Sequence, residues 1–122
     1  MQPEVRERLR HVIEAGETIL RGTAQKPFED YAADRLFKYG VERAFTIIGE
    51  ALREATKVQP DLATGITGYR RIIDFRNVLV HGYATVYDEG VWRIIEQHLP
   101  LLLTEVRALL ASADTPSPPE PA

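Results

Sequence analysis

Four polar residues that could together form a catalytic site lie in one short stretch of the sequence. They are Arg76, Asn77, His81 and Tyr83. The three residues between Asn77 and His81 are Val, Leu and Val, which favour a protein core. The burial of charged or polar groups without partners is costly, so the position of these four polar residues in core-forming sequence indicates that they have a function.

These side chains are sufficient for RNA cleavage without a metal ion. Imidazole titrates near neutral pH, so His81 can help a ribose 2′-hydroxyl attack the adjacent phosphate or protonate the leaving 5′-oxygen. The guanidinium of Arg76 can bind a phosphate through two N–H groups and stabilise the charge that grows on it. Asn77 and Tyr83 can each bond a phosphate oxygen. We therefore take Arg76 and His81 as the candidate catalytic residues and Asn77 and Tyr83 as supporting residues.

The spacing of Arg76 and His81 restricts how they can act together. On an unbroken α-helix, residues five apart are rotated by about 140° from each other, whereas Asn77 and His81 share a face. Either the helix ends or is distorted near Gly82, or a cleft receives residues from two symmetric copies. The second arrangement predicts a homodimer with a composite site across an isologous interface.

Each residue also has a structural explanation. A histidine near a helix end often caps carbonyl groups, and an arginine in a helix often pairs with a carboxylate, here Asp74 or Glu42. The remaining histidines, with His81, have no metal-ligand spacing, and the sequence contains no P-loop or dinucleotide-binding turn. We expect neither a metal nor a cofactor.

The composition is that of an ordinary globular domain. The chain has 122 residues, 44% hydrophobic and 27% charged, and no cysteine, which excludes disulfides and thiolate zinc sites. Residues 1–10 are charged and have no apolar h-region, and no apolar run approaches the roughly 20 residues that a membrane span needs. We therefore expect no signal peptide and a cytoplasmic protein without membrane contact. A net charge of -3 opposes bulk nucleic-acid affinity. Arg70 and Arg71, with Arg76, form a local basic cluster that predicts weak RNA binding.

Four segments carry apolar residues at helical spacing. They run over residues 3–21, 36–55, 69–81 and 88–110. The Val78–Val80 run alone is also compatible with a buried strand, but no other strand is available to pair with it. The sequence therefore predicts an all-α antiparallel up-and-down bundle of four to five helices over residues 1–112, and a disordered proline-rich tail over residues 113–122.

Local signals predict how these helices begin, bend and pack. Asp30 or Asp34 is expected to cap the second helix or to place negative charge in its first turns. Gly40 and Gly49 lie inside that helix and predict close helix–helix approach. Pro100 lies inside the last helix and is expected to kink or divide it.

The segment Arg76-Asn77-x-x-x-His81-x-Tyr83 resembles the R-x4-H-x-Y motif of the HepT-like toxins, within the HEPN superfamily of helical ribonucleases. The resemblance extends to two further stretches and covers roughly residues 3–110. These are Val41 to Ala51, with Glu42-Arg43 and Ile48-Gly49-Glu50-Ala51, and Val91-Trp92-x-Ile94-Ile95 after the motif.

The resemblance implies a homodimeric helical bundle in which the Arg/His pairs line a cleft at or near the interface. It implies an RNA-cleaving toxin of a prokaryotic toxin–antitoxin pair, neutralised by a small nucleotidyltransferase antitoxin of the MNT type. In such pairs the antitoxin can transfer AMP from ATP onto the motif tyrosine, here Tyr83. Glu42, Arg43 and Glu50 would then support the site, or belong to a solvated face or a structural pair. We do not assign them as catalytic.

Two other functional classes fit the same residues. One is a non-catalytic module that binds nucleotide or serves only as the substrate and docking surface of the nucleotidyltransferase. The other is a helical adaptor in which Arg76 and His81 make structural hydrogen bonds. An intact motif favours the ribonuclease.

Overall fold

The computed structural model describes residues 1–114, except for the side chains of Tyr83 and Asp114. Within this range the chain contains six α-helices, two 3-10 turns and no strand, which confirms the all-α prediction. The helices are α1 (Pro3–Thr23), α2 (Phe28–Ala33), α3 (Arg35–Val58), α4 (Tyr69–His81), α5 (Asp88–Gln97) and α6 (Leu99–Asp114). The 3-10 turns are Pro60–Gly65 and Tyr83–Thr85. Of the predicted tail, residues 115–122 lie outside the described part of the chain.

The core of the bundle lies between α1, α3 and α6. Helix α1 packs on α3 and on α6, while α5 packs on α6 and α2. The apolar residues of α1 recur every three or four positions, so they form one stripe that faces these neighbours. The most deeply buried side chains of the three helices include Val5, Leu9, Val12, Leu52, Leu103 and Val106.

Helix α3 corresponds to the second predicted helix, and the short helix α2 that precedes it was not predicted. The Asp34 backbone is extended, and its carboxylate accepts a hydrogen bond from the Phe37 N–H at 3.0 Å. Asp34 is therefore the N-cap of α3, as one of the two alternatives predicted. Helix α2 is held by aromatic packing, with the buried Tyr31 ring 5.5 Å from that of Trp92 on α5.

The last predicted helix is divided at His98, so that α5 and α6 are separate elements. Pro100 is the second residue of α6. The first N–H groups of a helix have no partner within the helix, so the lack of an N–H on proline leaves no hydrogen bond unmade there. The Pro100 ring would clash with the carbonyl of Glu96 in a continuous helix. Of the two alternatives predicted at Pro100, a kink or a division, the structure has the division, two residues before the proline.

Helix α4 is the least buried of the long helices, since none of its residues is fully buried. It lies mainly against α3. One side of α4 borders a polar groove toward α1, and the other side borders an apolar groove of about 260 Å³ toward the α5–α6 junction. The candidate catalytic residues are thus carried by a helix with two open flanks.

We expect Asp34→Ala to lower the free energy of unfolding by about 1 kcal/mol, because it removes the cap of α3. Urea denaturation measures the change, and Asp34→Ser should retain most of the stability. Asp61→Ala is the matched control, since Asp61 is an exposed aspartate in the first turn of the 3-10 element Pro60–Gly65 and is not its N-cap. An equal loss in both Ala variants would contradict the capping role.

Candidate active site on helix α4

Helix α4 runs antiparallel to α3, and contacts at three levels fix the register of the pair. The Tyr69 hydroxyl lies in hydrogen-bonding contact with that of Thr56, and the Phe75 ring packs edge-on against Phe45 with centroids 5.3 Å apart. The third contact is that of Arg76, the residue after Phe75, with Gly49. This register places the C-terminal end of α4, with His81, beside the first half of α3.

The contact between Gly49 and Arg76 requires a glycine. A Cβ atom at residue 49 would overlap the Cβ and Cγ atoms of Arg76, which cannot swing away because they lie next to the backbone. The prediction of close helix approach is therefore confirmed at Gly49. The same prediction is wrong for Gly40, where nothing lies within 4 Å of an added Cβ.

Arg76 is held by two neighbours and is only 14% exposed. Its Nη2 lies 2.6 Å from the Glu50 carboxylate, and its Nη1 donates to the Asn77 side-chain oxygen at 3.0 Å. Its Nε–H is buried and has no hydrogen-bond acceptor among the described residues. The guanidinium is thus fixed in position while part of its donor capacity stays unused.

The carboxylate partner of Arg76 differs from the two predicted. Glu50 holds it because it directly follows Gly49, where the helices approach most closely. Asp74 is exposed, two residues from Arg76 and so on another face of α4. The predictions of Asp74 and Glu42 as partners were wrong.

Glu42 belongs to a different cluster, between α2, α3 and α5. Burial, and then the nearby Asp88 carboxylate, raises the pKa of Glu42, while Lys38 opposes the shift. Lys38 itself pairs with Asp88 at 3.4 Å. Burial, followed by the charges of Glu42 and Asp88, also raises the pKa of Tyr31. Glu42 therefore contributes to helix packing rather than to the surroundings of Arg76.

His81 is the last residue of α4. Its side chain is exposed and makes no hydrogen bond or ion pair with the described residues. The helix is regular up to this residue, and the Gly82 N–H closes it by donating to the Val78 carbonyl at 2.7 Å. Arg76 faces the α3 side, so one chain does not bring the two candidate catalytic residues to one point. Asn77 contacts Arg76, and Arg70 and Arg71 are exposed. The Tyr83 side chain lies outside the described part, although its backbone begins the 3-10 turn after α4.

The polar groove beside α4 joins candidates that the sequence indicated to three polar residues that it did not, Arg8, His11 and Thr46. It has a volume of about 390 Å³ and lies between α1, α3 and α4. Its polar lining consists of Arg8, His11, Arg43, Thr46, Glu50 and Arg76. Three guanidinium groups face one carboxylate, so the groove is positively charged in a chain whose net charge is -3. Arg8 and His11 come from α1, and no sequence spacing relates them to the α4 motif.

Neither a metal-binding cluster nor a membrane-spanning helix is present among the described residues. Residues 1–114 contain no group of three or more His, Cys, Asp or Glu side chains placed to hold a metal ion. Over the same range, no helix combines the length and the apolar character that crossing a bilayer requires.

Comparison with known proteins gives a family match and several distant relatives. The family described as "Ribonuclease HepT-like" matches residues 11–109. A Thermococcus cleftensis protein named "Probable ribonuclease HepT" is 29% identical over 98 residues, which cover 77% of this chain and 84% of that protein. The "Putative RNase MJ1380" of Methanocaldococcus jannaschii is 23% identical over 103 residues, covering 84% of this chain and 94% of that protein. No solved structure matches the chain.

The contact between α3 and α4 predicts opposite effects for two glycine substitutions within the same helix. Gly49→Ala should lower the free energy of unfolding by about 1–3 kcal/mol, because the new methyl group pushes against Arg76. Gly40→Ala should raise it by about 0.5–1 kcal/mol, because open space surrounds residue 40 and Ala is the better helix former. Urea denaturation of both variants measures the difference. Stabilisation by Gly49→Ala would show that α4 does not lie as described.

Proposed function

The chain belongs to the HepT-like ribonuclease family of the HEPN superfamily, and on that premise we propose that it is a metal-independent endoribonuclease toxin. The observation that carries the proposal is the state of the motif residues on α4. Arg76 is fixed in position by Glu50 and Asn77, and the His81 side chain is exposed and makes no hydrogen bond with the described residues. The names of the relatives, as a ribonuclease and an RNase, support the same activity.

The proposed reaction is a transfer within the RNA strand. His81 takes the proton of a ribose 2′-hydroxyl, and the 2′-oxygen attacks the adjacent phosphorus. The bond from phosphorus to the 5′-oxygen breaks, and that oxygen receives a proton from a general acid. The products are a 2′,3′-cyclic phosphate and a 5′-hydroxyl. Arg76 stabilises the negative charge of the pentacoordinate phosphorane through charge-assisted hydrogen bonds.

We propose that the complete site is composite, built across a homodimer. Arg76 and His81 lie on different faces of an unbroken helix, so a second copy is the remaining way to bring both types of residue to one phosphate. The open flanks of α4 support this arrangement, since Val78 and Val80 are 39% and 40% exposed. In an isologous dimer, Arg76 of one copy and His81 of the other would face each other twice.

We propose an MNT-type nucleotidyltransferase as the antitoxin, which inhibits by binding, by AMPylation of Tyr83, or by both. In the transfer, the Tyr83 oxygen attacks the α-phosphorus of ATP and pyrophosphate leaves. The attached AMP adds an anionic phosphate and a nucleoside two residues from His81. The modification would compete with the RNA phosphate for Arg76 and exclude the substrate.

An RNA cleavage assay in EDTA tests the catalytic proposal. The protein is expressed without a nucleotidyltransferase, and its intact mass confirms that it is unmodified. Wild type should leave 2′,3′-cyclic phosphate ends, while His81→Ala should lose about a hundredfold or more in rate, because a general base is removed. His98→Ala is the matched control, an exposed histidine at the α5–α6 break, and should cleave like wild type.

Two results would overturn this assignment. Equal cleavage by wild type and His81→Ala would remove His81 from the chemistry. The absence of cleavage on several structured and unstructured RNAs would favour the alternative function, a non-catalytic nucleotide-binding or docking module for the nucleotidyltransferase.

Intact-mass measurement after co-expression with the nucleotidyltransferase tests the modification site. Wild type should gain one or more AMP units, and Tyr83→Phe should gain none because it lacks the acceptor oxygen. Tyr87→Phe is the control, since Tyr87 is 75% exposed and only four residues away. A Tyr83→Phe protein that still gains AMP would place the site elsewhere.

A further inference from the structure

The polar groove continues along α3 as an exposed stripe of basic and aromatic residues. Arg35, Tyr39 and Arg43 follow each other at intervals of four residues, so they lie on one face of the helix. All three are exposed, and Tyr39 retains 61% of its accessible surface. Arg43 also lines the groove, so the stripe and the groove form one continuous surface, which we call the α3 track.

The cations of the α3 track are largely free of counter-charges. Within residues 1–114, the side chains of Arg8, Arg35 and Arg43 make no hydrogen bond or ion pair, whereas the His11 ring lies 3.2 Å from the Glu7 carboxylate. Glu50, the one carboxylate lining the groove, is neutralised by Arg76 at 2.6 Å. The hydrogen bond from Lys57, and more weakly the charges of Lys57 and Arg8, lower the pKa of Glu54. The track therefore presents unpaired positive charge, which is the feature of a surface that binds an anion.

The register of α3 and α4 places the candidate catalytic arginine within this surface. Because the helices are antiparallel, Arg43 lies toward the His81 end of α4, and Arg8 lies toward the opposite end, near Glu54. Arg76 lies between them, against Gly49. A strand that follows the track thus has cations on both sides of the phosphate held by Arg76.

We infer that the α3 track, built from Arg8, Arg35, Tyr39, Arg43 and His11, binds single-stranded RNA on both sides of the cleavage site. Arg8 and Arg43 hold backbone phosphates next to the one at Arg76, and Tyr39 stacks on an unpaired base. This inference rests on the proposed ribonuclease function and assigns its substrate class and its binding residues outside the motif.

The alternation of guanidinium groups with an exposed ring favours a single strand. Surfaces that bind single strands combine a positive groove along the backbone with aromatic side chains on which bases stack. In a duplex the base faces are already covered by their neighbours, so Tyr39 would find nothing to stack on. A second copy of the chain fits less well, because an isologous contact through the track would bring like charges together.

Binding of an oligonucleotide that cannot be cleaved separates this inference from the catalytic proposal. The probe is a fluorescently labelled, single-stranded 2′-O-methyl RNA, which lacks the attacking hydroxyl, and the readout is fluorescence anisotropy at several salt concentrations. Arg43→Ala should raise the Kd about fivefold and reduce the slope of log K against log salt by about 0.7, the value for one lost phosphate contact on a single strand. Arg93→Ala removes the same charge from an exposed position on α5 and should leave the Kd unchanged.

Tyr39 variants test the stacking contact. Tyr39→Ala should raise the Kd for the single strand about fivefold or more, whereas Tyr39→Phe should bind like wild type because it keeps the ring. Neither substitution should change the Kd for a blunt duplex of the same sequence. All these residues are exposed, so circular dichroism and thermal melting should match wild type.

Three outcomes would overturn the inference. The first is that Arg43→Ala and Tyr39→Ala bind the probe with the same Kd as Arg93→Ala. The second is that the wild type does not bind the probe at low salt. The third is that the track variants change their oligomeric state. The last result would make the track an interface between copies. Cleavage of unmodified RNA is measured separately. If the wild type cleaves RNA but the track variants bind the probe as tightly as the wild type, only this inference is contradicted. If the wild type binds the probe but does not cleave RNA, only the catalytic proposal is contradicted.

Discussion

The approach of α3 and α4 at Gly49 is the constraint on which the candidate site depends. The missing side chain lets the Cβ and Cγ atoms of Arg76 lie against the α3 backbone, and Glu50, one residue further, pairs with the guanidinium. A charged group can be buried to this extent only beside a carboxylate and further hydrogen-bond acceptors. The same contact also helps to hold α4 on α3, together with the packing of Phe75 on Phe45 and the contact of Tyr69 with Thr56. Helix packing and the placement of Arg76 therefore depend on each other.

The burial of Arg76 has a consequence for catalysis. A guanidinium that is already oriented loses less conformational freedom when it binds a phosphate than a free surface arginine does. Because Glu50 and Asn77 occupy one nitrogen each, the group is positioned without being saturated. His81, by contrast, has no bonding partner among the described residues and is free to reach a substrate or a second copy.

The sequence predicted the elements well because the helices are amphipathic and their ends carry clear signals. The ends at residues 58 and 81 follow from the Pro60 and Gly82 stops, and the 140° separation of Arg76 and His81 follows from the regularity of α4. The short helix α2 and the break at His98 were harder to predict. The apolar pattern continues across His98, so it does not distinguish a bent helix from a divided one, and α2 is held by packing between distant residues such as Tyr31 and Trp92.

The site was predicted less completely than the fold, because its missing parts depend on which helices are neighbours. Glu50 and Glu42 are both acids of α3, and only the point of closest approach decides that Glu50 pairs with Arg76 while Glu42 faces Asp88. Arg8 lies far from the motif in sequence, and it joins the groove because α1 packs on α3. A short motif can therefore indicate the proposed reacting groups, whereas the surface that would hold the substrate around them is a property of the packed bundle. Substitution of the motif residues would then act on the reaction, while substitution of the outer arginines would act on binding.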